Sequence, residues 1–178
     1  MIQWKPFIFQ GQVHDLSHLH PKMVDYSHKS KNSEQIYHCS VQVIYGLHCF
    51  TRGKKAEETI DQALCYKDKR EVRIFDFTRY ELSKQLPEII AKLLKSHCYH
   101  TGKGNFCVVE IMQSDGKTQE YEVYFQPSRS SKDVLTLYIQ SAYMRDGKYS
   151  QIRPKRKKID FHVVLLNTLT RKPIKMPK

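Results

Sequence analysis

A glycine-punctuated loop at residues 96–106, SHCYHTGKGNF, holds the most chemically suggestive residues of the chain: His97, His100 and Lys103. Imidazole exchanges protons near neutral pH, and glycines let backbone N–H groups approach an anion. The same residues have a structural interpretation, because histidines near the end of a helix stabilise its carboxyl-terminal dipole. The sequence therefore raises the question of whether this loop does chemistry or only turns the chain.

The elements around the loop predict an α+β fold in residues 71–178. A strand is expected at 72–77, and an apolar stripe at helical spacing follows a Thr78-x-x-Glu81 capping box. Pro87 lies inside this stripe, so the helix either kinks there or begins near Leu86 with Pro87 in its first turn. In both cases the helix ends before the loop.

Four stretches after the loop alternate apolar and polar residues, which predicts a four-stranded antiparallel sheet with the helix packed on one face and a polar, aromatic face left for ligands. These stretches are 106–112, 119–125, 134–143 and 159–167. Asp115-Gly116 suits a tight hairpin between the first two. Residues 1–70, with one convincing strand in IYHCSVQVIYGLHCF, are expected to form a partly β accessory segment, either separate or part of the same domain.

The charge balance points to a phosphate-rich partner. The chain has 178 residues and a formal net charge of +12, which favours nucleic acid. The run RPKRKK at 153–158 is either a solvated loop, a patch that follows phosphates or a nuclear import signal. No stretch has the length of a membrane span or the pattern of a signal peptide, so a cytoplasmic protein without membrane contact is expected.

Metal and disulfide chemistry are weakly indicated. Five cysteines without a C-x-x-C pair predict reduced thiols. The dipeptides His38-Cys39 and His48-Cys49, and the histidines of HDLSHLHP, are possible zinc ligands, but adjacent strand residues point to opposite faces and no further ligand follows at a useful spacing. We therefore expect no metal and no cofactor.

The order of helix, histidine-bearing loop and antiparallel strands resembles the small ribonuclease toxins of the barnase, EndoU, colicin and RelE fold class. YIQSAYMRD at 138–146 is similar to a late strand of those nucleases, and the resemblance covers roughly residues 71–170. The pattern also looks like bacterial proteins labelled as stationary-phase growth adaptation proteins, a label that supplies no mechanism.

The resemblance implies metal-independent RNA cleavage, in which the ribose 2′-hydroxyl attacks the adjacent phosphate. It implies the following roles: His100 or His97 as acid or base, Lys103 as a stabilising cation, Ser141 and Tyr143 as phosphate-binding groups, and Arg129, Tyr138 and Arg145 as RNA-binding residues. The basic run at 153–158, independently of the resemblance, adds Lys155, Arg156, Lys157 and Lys158 as RNA-binding residues. Each tyrosine has an alternative role as a half-buried sheet aromatic.

The sequence thus predicts an endoribonuclease acting as a toxin or defence effector, which an acidic antitoxin or other inhibitor protein would restrain. A non-catalytic RNA- or DNA-binding protein that uses the basic sheet face and loop is the alternative. A third possibility is a structural or adaptor protein that is basic for solubility alone.

Overall fold

The computed structural model describes residues 3–29, 36–114, 117–130, 134–145 and 156–177. The strands within these ranges are β1 (Phe7–Phe9), β2 (Gln12–His14), β3 (Lys22–Lys29), β4 (Ile36–His48), β5 (Thr51–Arg52), β6 (Cys65–Lys67), β7 (Val72–Phe75), β8 (Cys98–His100), β9 (Phe106–Ser114), β10 (Lys117–Arg129), β11 (Leu135–Met144) and β12 (Lys157–Ile159). The α-helices are α1 (Phe77–Ser83), α2 (Leu86–Ala91) and α3 (Phe161–Leu169), and short 3-10 turns lie at Ser17–Leu19, Gln62–Leu64 and Leu93–Lys95.

A seven-stranded sheet dominates the fold, in the order β12-β8-β9-β10-β11-β4-β3. Its neighbours are antiparallel except β11 and β4, which run parallel. The prediction of a helix packed on a four-stranded antiparallel sheet is therefore wrong. Strands β9, β10 and β11 lie where they were expected, but β3 and β4 join the same sheet through a pairing that alternation along one strand cannot reveal.

The fourth expected strand, at 159–167, is also wrong, because most of it is helix α3. Ile159, Phe161, Val163 and Leu165 alternate as in a strand, yet the residues that the helix buries are Phe161, Val164 and Leu165. That spacing of three and four belongs to a helix. In a run this apolar, both periods fit, and only the packing decides between them.

The expected helix at 78–94 is present but divided into α1 and α2. Asp76, rather than Thr78, caps α1, because its carboxylate accepts a hydrogen bond from the Arg79 N–H. Pro87 lies in the first turn of α2, where a missing N–H costs little, as one of the two alternatives predicted. No helix in the described ranges has the length and apolar character needed to cross a lipid bilayer.

The apolar core lies between one face of the sheet and the helices α2 and α3. Phe161 of α3 packs against Tyr26 of β3 and Phe125 of β10, and the Tyr26 hydroxyl donates to the Ile90 carbonyl of α2 at 2.6 Å. A smaller sheet, β5-β7-β6, and the β1-β2 hairpin enclose an aromatic cluster that continues this core. Trp4 ties that cluster to the large sheet, because its indole N–H donates to the Tyr45 carbonyl at 3.1 Å.

Candidate nucleic-acid interface

Six side chains lie in one row across the large sheet, on the face opposite α2 and α3. Each is the direct cross-strand partner of the next, and directly paired residues point to the same face. The row consists of Lys158, Tyr99, Cys107, Tyr124, Ser141 and His48. We call this side of the sheet the polar face.

Two stacked tyrosines mark the centre of the polar face. The rings of Tyr124 and Tyr143 lie 5.8 Å apart with an angle of 17° between their planes. Arg79 of α1 places its guanidinium 5.3 Å from the centre of the Tyr143 ring and donates to the His48 and Thr51 carbonyls. Burial lowers the pKa of Arg79, although a guanidinium remains charged at neutral pH. The polar face therefore combines stacked aromatic rings with a fixed cation.

Tyr138 is the next aromatic residue on this face. Its hydroxyl occupies space that a side chain at Gly46 of β4 would otherwise fill. A Cβ atom added at Gly46 would lie 2.7 Å from the Tyr138 hydroxyl oxygen and 3.0 Å from two carbonyl oxygens of β11. A hydrogen bond with the Tyr138 hydroxyl is the largest influence that raises the pKa of Arg70. Gly46 thus leaves room for a tyrosine–arginine pair.

Glu122 is a fully buried carboxylate on the polar face. Its Oε1 atom accepts hydrogen bonds from Arg145 at 2.8 Å and Arg156 at 2.6 Å, and its Oε2 atom accepts one from the Tyr124 hydroxyl at 2.7 Å. Burial opposes ionisation, yet the hydrogen bonds from Arg156, Tyr124 and Arg145 hold the pKa of Glu122 below its usual range. Two guanidinium groups around one carboxylate leave this cluster with a net charge of +1.

This cluster changes the interpretation of the predicted basic loop. Arg145 and Arg156 have side chains only 10% and 11% exposed, so both mainly neutralise Glu122. Lys158 is exposed on the polar face, whereas Lys157 is exposed on the opposite side as the partner of His100. Lys155 lies outside the described residues.

His48 and Glu71 form a hydrogen-bonded pair at the border of the polar face. The His48 Nε2 and Glu71 Oε1 atoms are 2.9 Å apart, with the two side chains 42% and 40% exposed. The hydrogen bond from His48 is the main reason why the pKa of Glu71 is lowered. Arg73 lies 3.3 Å from the other carboxylate oxygen. This arrangement provides a proton-exchanging group beside a cation, within the same row as Ser141.

The loop at 96–106 makes a structural turn. His100 is buried, its Nδ1 atom accepts from the Gly102 N–H at 3.0 Å, and its Nε2 atom lies 3.3 Å from the Ile174 carbonyl. Gly102 and Gly104 have φ angles of +79° and +78°, in the region that glycine adopts at little cost.

The predicted catalytic residues therefore do not converge. Ser141 and Tyr143 lie on the polar face, whereas His100 is the partner of the core residue Phe106 and points to the other side of the sheet. The Lys103 side chain is exposed at the loop. Arg129 donates to the Leu169 carbonyl at the end of α3 rather than reaching the polar face. His97 precedes β8 at the end of the preceding 3-10 turn.

Sequence reasoning missed Glu122, Arg79 and the pair of His48 with Glu71. Glu122 occupies a polar position of an alternating strand, so its burial depends on arginines 23 and 34 residues away. His48 was considered only as a zinc ligand. Its place beside the tyrosines depends on the pairing of β4 with β11, which the local sequence does not show.

The thiols and possible ligand groups do not form a second chemical centre among the described residues. All five cysteines are free, and burial raises the pKa of Cys49, Cys98 and Cys107 to about 12. Within the described ranges, no three His, Cys, Asp or Glu side chains are grouped closely enough to hold a metal ion.

The chain belongs to the YjaZ family, whose model matches residues 6–169. This segment runs from β1 to α3 and includes the described part of the polar face. No curated protein and no solved structure matches the chain. The family description states no activity, so a function has to be argued from the geometry.

Proposed function

We propose that this member of the YjaZ family binds single-stranded RNA on the polar face. The observation that carries the proposal is a set of four half-buried tyrosines on one side of the sheet: Tyr99, Tyr124, Tyr138 and Tyr143. Unpaired bases stack on aromatic side chains of this kind, and sheets offer such platforms in RNA-binding domains.

Positive charges around the tyrosines support a polyanionic ligand. Arg79 lies over Tyr143, Arg70 contacts Tyr138, and Lys158 stands at the end of the row next to Tyr99. The Glu122 cluster adds a net charge of +1. The overall charge of +12 strengthens long-range attraction to phosphates.

Two adjacent lysines provide a matched test of the binding surface. Because Lys158 is on the polar face, Lys158→Ala should reduce the slope of log affinity against log salt by about 0.7 if one phosphate contact is lost. Lys157→Ala, which removes the same charge from the opposite side, should change the slope much less. The assay is fluorescence anisotropy with a labelled RNA oligonucleotide at several salt concentrations. Equal effects of the two variants would exclude the polar face as the specific surface.

Stacking can be tested separately from charge. Tyr99→Ala should weaken RNA binding by about 1 to 3 kcal/mol, the range for one stacked base. Tyr37→Ala is the control, since Tyr37 is an exposed tyrosine of β4 that lines a different part of the molecule. If neither the RNA nor a DNA oligonucleotide shows salt-sensitive binding to the wild-type protein, the proposed function is wrong.

RNA cleavage is the second candidate, and the hydrogen bond between His48 and Glu71 favours it. Imidazole can take the 2′-hydroxyl proton, with Glu71 orienting the ring and Arg73 or Arg79 stabilising the charged phosphorane. His48→Ala and Glu71→Gln should lower cleavage by about 100-fold or more while RNA binding is retained. His38→Ala is the control, because His38 contacts Ser27 at the other end of β4. A 2′,3′-cyclic phosphate product formed in EDTA would support this mechanism, and loss of activity in EDTA would contradict it.

A cleaving form would need restraint in its host. An acidic antitoxin or inhibitor protein would be attracted to the polar face by the same charges that attract RNA. Such a partner should compete with the RNA oligonucleotide in the anisotropy assay.

A further inference from the structure

An open cavity of about 540 Å³ lies on the helix side of the sheet, away from the polar face. The end of α3, the loop after β8 and residues 171–174 border it, together with the ends of β9 and β10. Its basic and polar lining comprises His100, Arg129, Asn167, Thr168, Arg171 and Lys172. None of the described residues that line it is acidic.

The end of α3 has an unusual residue for its geometry. The Arg171 N–H donates to the Thr168 carbonyl at 3.2 Å, and the Lys172 N–H donates to the Asn167 carbonyl at 2.8 Å. These two bonds define a Schellman motif, whose left-handed position is usually glycine. Here that position is Arg171, with a φ angle of 55°.

An arginine in the left-handed region is less stable than a glycine, because its Cβ atom crowds the backbone. The motif also commonly has an apolar contact between the two residues that close its longer bond. In this chain those residues are Asn167 and Lys172, and both line the cavity instead. Asn167, Arg171 and Lys172 occupy positions that usually stabilise the end of a helix through a glycine and an apolar contact. Here all three line the cavity with polar or charged side chains.

The neighbouring segments are fixed in position. His100 links the Gly102 N–H to the Ile174 carbonyl, so the loop and the carboxyl-terminal segment form connected walls. Arg129 donates to the Leu169 carbonyl, which holds its guanidinium at the base of α3. The backbone therefore fixes the walls of the open cavity, whereas the exposed side chains of Arg171 and Lys172 become ordered only when a ligand binds.

We infer that this cavity binds the phosphate group of a small phosphorylated molecule. Two guanidinium groups and one ammonium group, with the Asn167 amide beside them, supply directed and charge-assisted hydrogen bonds to a phosphate dianion. The volume lies in the range of small-molecule sites and exceeds what one phosphate ion fills. A nucleoside monophosphate is the probe that tests for a larger ligand.

Arg171→Gly separates a ligand-binding role from a structural one. Removal of the side chain should weaken the binding of inorganic phosphate or a nucleoside monophosphate by about 10- to 100-fold. The same substitution should raise the melting temperature by about 2 to 4 °C, because glycine suits the left-handed position. Isothermal titration calorimetry and thermal unfolding of the full chain measure the two effects.

The control variants are Lys92→Ala, which removes an exposed lysine at the end of α2 and should leave phosphate binding unchanged, and Gln10→Gly, which relieves another positive φ angle far from the cavity. Tighter binding of the nucleoside monophosphate than of inorganic phosphate would assign the larger ligand, and equal binding would assign the free ion. Absence of binding by both probes, or unchanged affinity in Arg171→Gly, would overturn the inference. RNA binding by Arg171→Gly reports on the polar face separately, so each proposal can fail without the other.

Discussion

Replacement of Glu122 by Gln should destabilise the fold more than any other single charge removal on the polar face. Glu122 is fully buried and accepts two charge-assisted hydrogen bonds on one oxygen and the Tyr124 hydroxyl on the other. Removal of one partner from a buried ion pair typically costs about 3 to 5 kcal/mol, since the remaining charge is left uncompensated. Because Arg145 and Arg156 keep some contact with solvent, we expect about 3 kcal/mol, or a melting temperature lower by about 6 to 12 °C.

The pH dependence provides an independent measurement of the same effect. The pKa of Glu122 is lowered in the folded state, so its contribution to stability is present above the ordinary glutamate value of about 4.3 and is lost as pH falls through the folded value. The stability difference between wild type and Glu122→Gln should therefore shrink in acid. Urea unfolding at pH 7 and near pH 3 measures it.

A matched control is Glu81→Gln, which removes a carboxylate that is 63% exposed and paired with Lys84. Exposed pairs contribute at most about 1 kcal/mol, so this variant should unfold almost as the wild type does. A Glu122→Gln variant within about 1 kcal/mol of wild type at pH 7, or a difference that does not change with pH, would refute the argument for a buried charged cluster.

Three further outcomes follow from the packing. Gly46→Ala should destabilise the fold by about 1 to 3 kcal/mol through overpacking, as measured by thermal unfolding. Gly53→Ala is the control and should have little effect, because its added Cβ would meet its nearest atom only at 4.0 Å. His100→Ala should lower stability by about 1 to 3 kcal/mol through two lost hydrogen bonds and leave RNA affinity unchanged, and Lys103→Ala should change neither. Cys107 should react with a thiol reagent at pH 8 only after unfolding, because burial raises its pKa to about 12; rapid labelling of the native protein would contradict its burial.

The sequence predicted those elements whose burial is visible in their own residue pattern. Alternation located β9, β10 and β11, β-prone residues located β4, and Pro87 marked the start of α2 through its fixed φ angle. These features depend on residues close together in the chain.

The remaining features depend on partners that are distant in sequence. The parallel pairing of β11 with β4 joins residues about ninety positions apart, such as Leu137 and Val43. The local sequence around His100 is compatible with a catalytic histidine and also with a buried histidine that makes two structural hydrogen bonds. Only the fold distinguishes the two. Nothing in the local sequence marks Glu122 as buried, because the arginines that pair with it come from other parts of the fold.

The parallel pairing of β4 with β11 also constrains the order of events during synthesis. The hairpin of β3 and β4 can form early, but the second edge of β4 stays unpaired until β11 has been synthesised. Pairings between distant segments close slowly, and the waiting hairpin exposes an unpaired edge. A nascent chain that has not reached residue 144 therefore exposes the unpaired backbone edge of β4, which other chains can bind by strand pairing. Chaperone binding to the first half of this chain during translation would be expected on that ground alone.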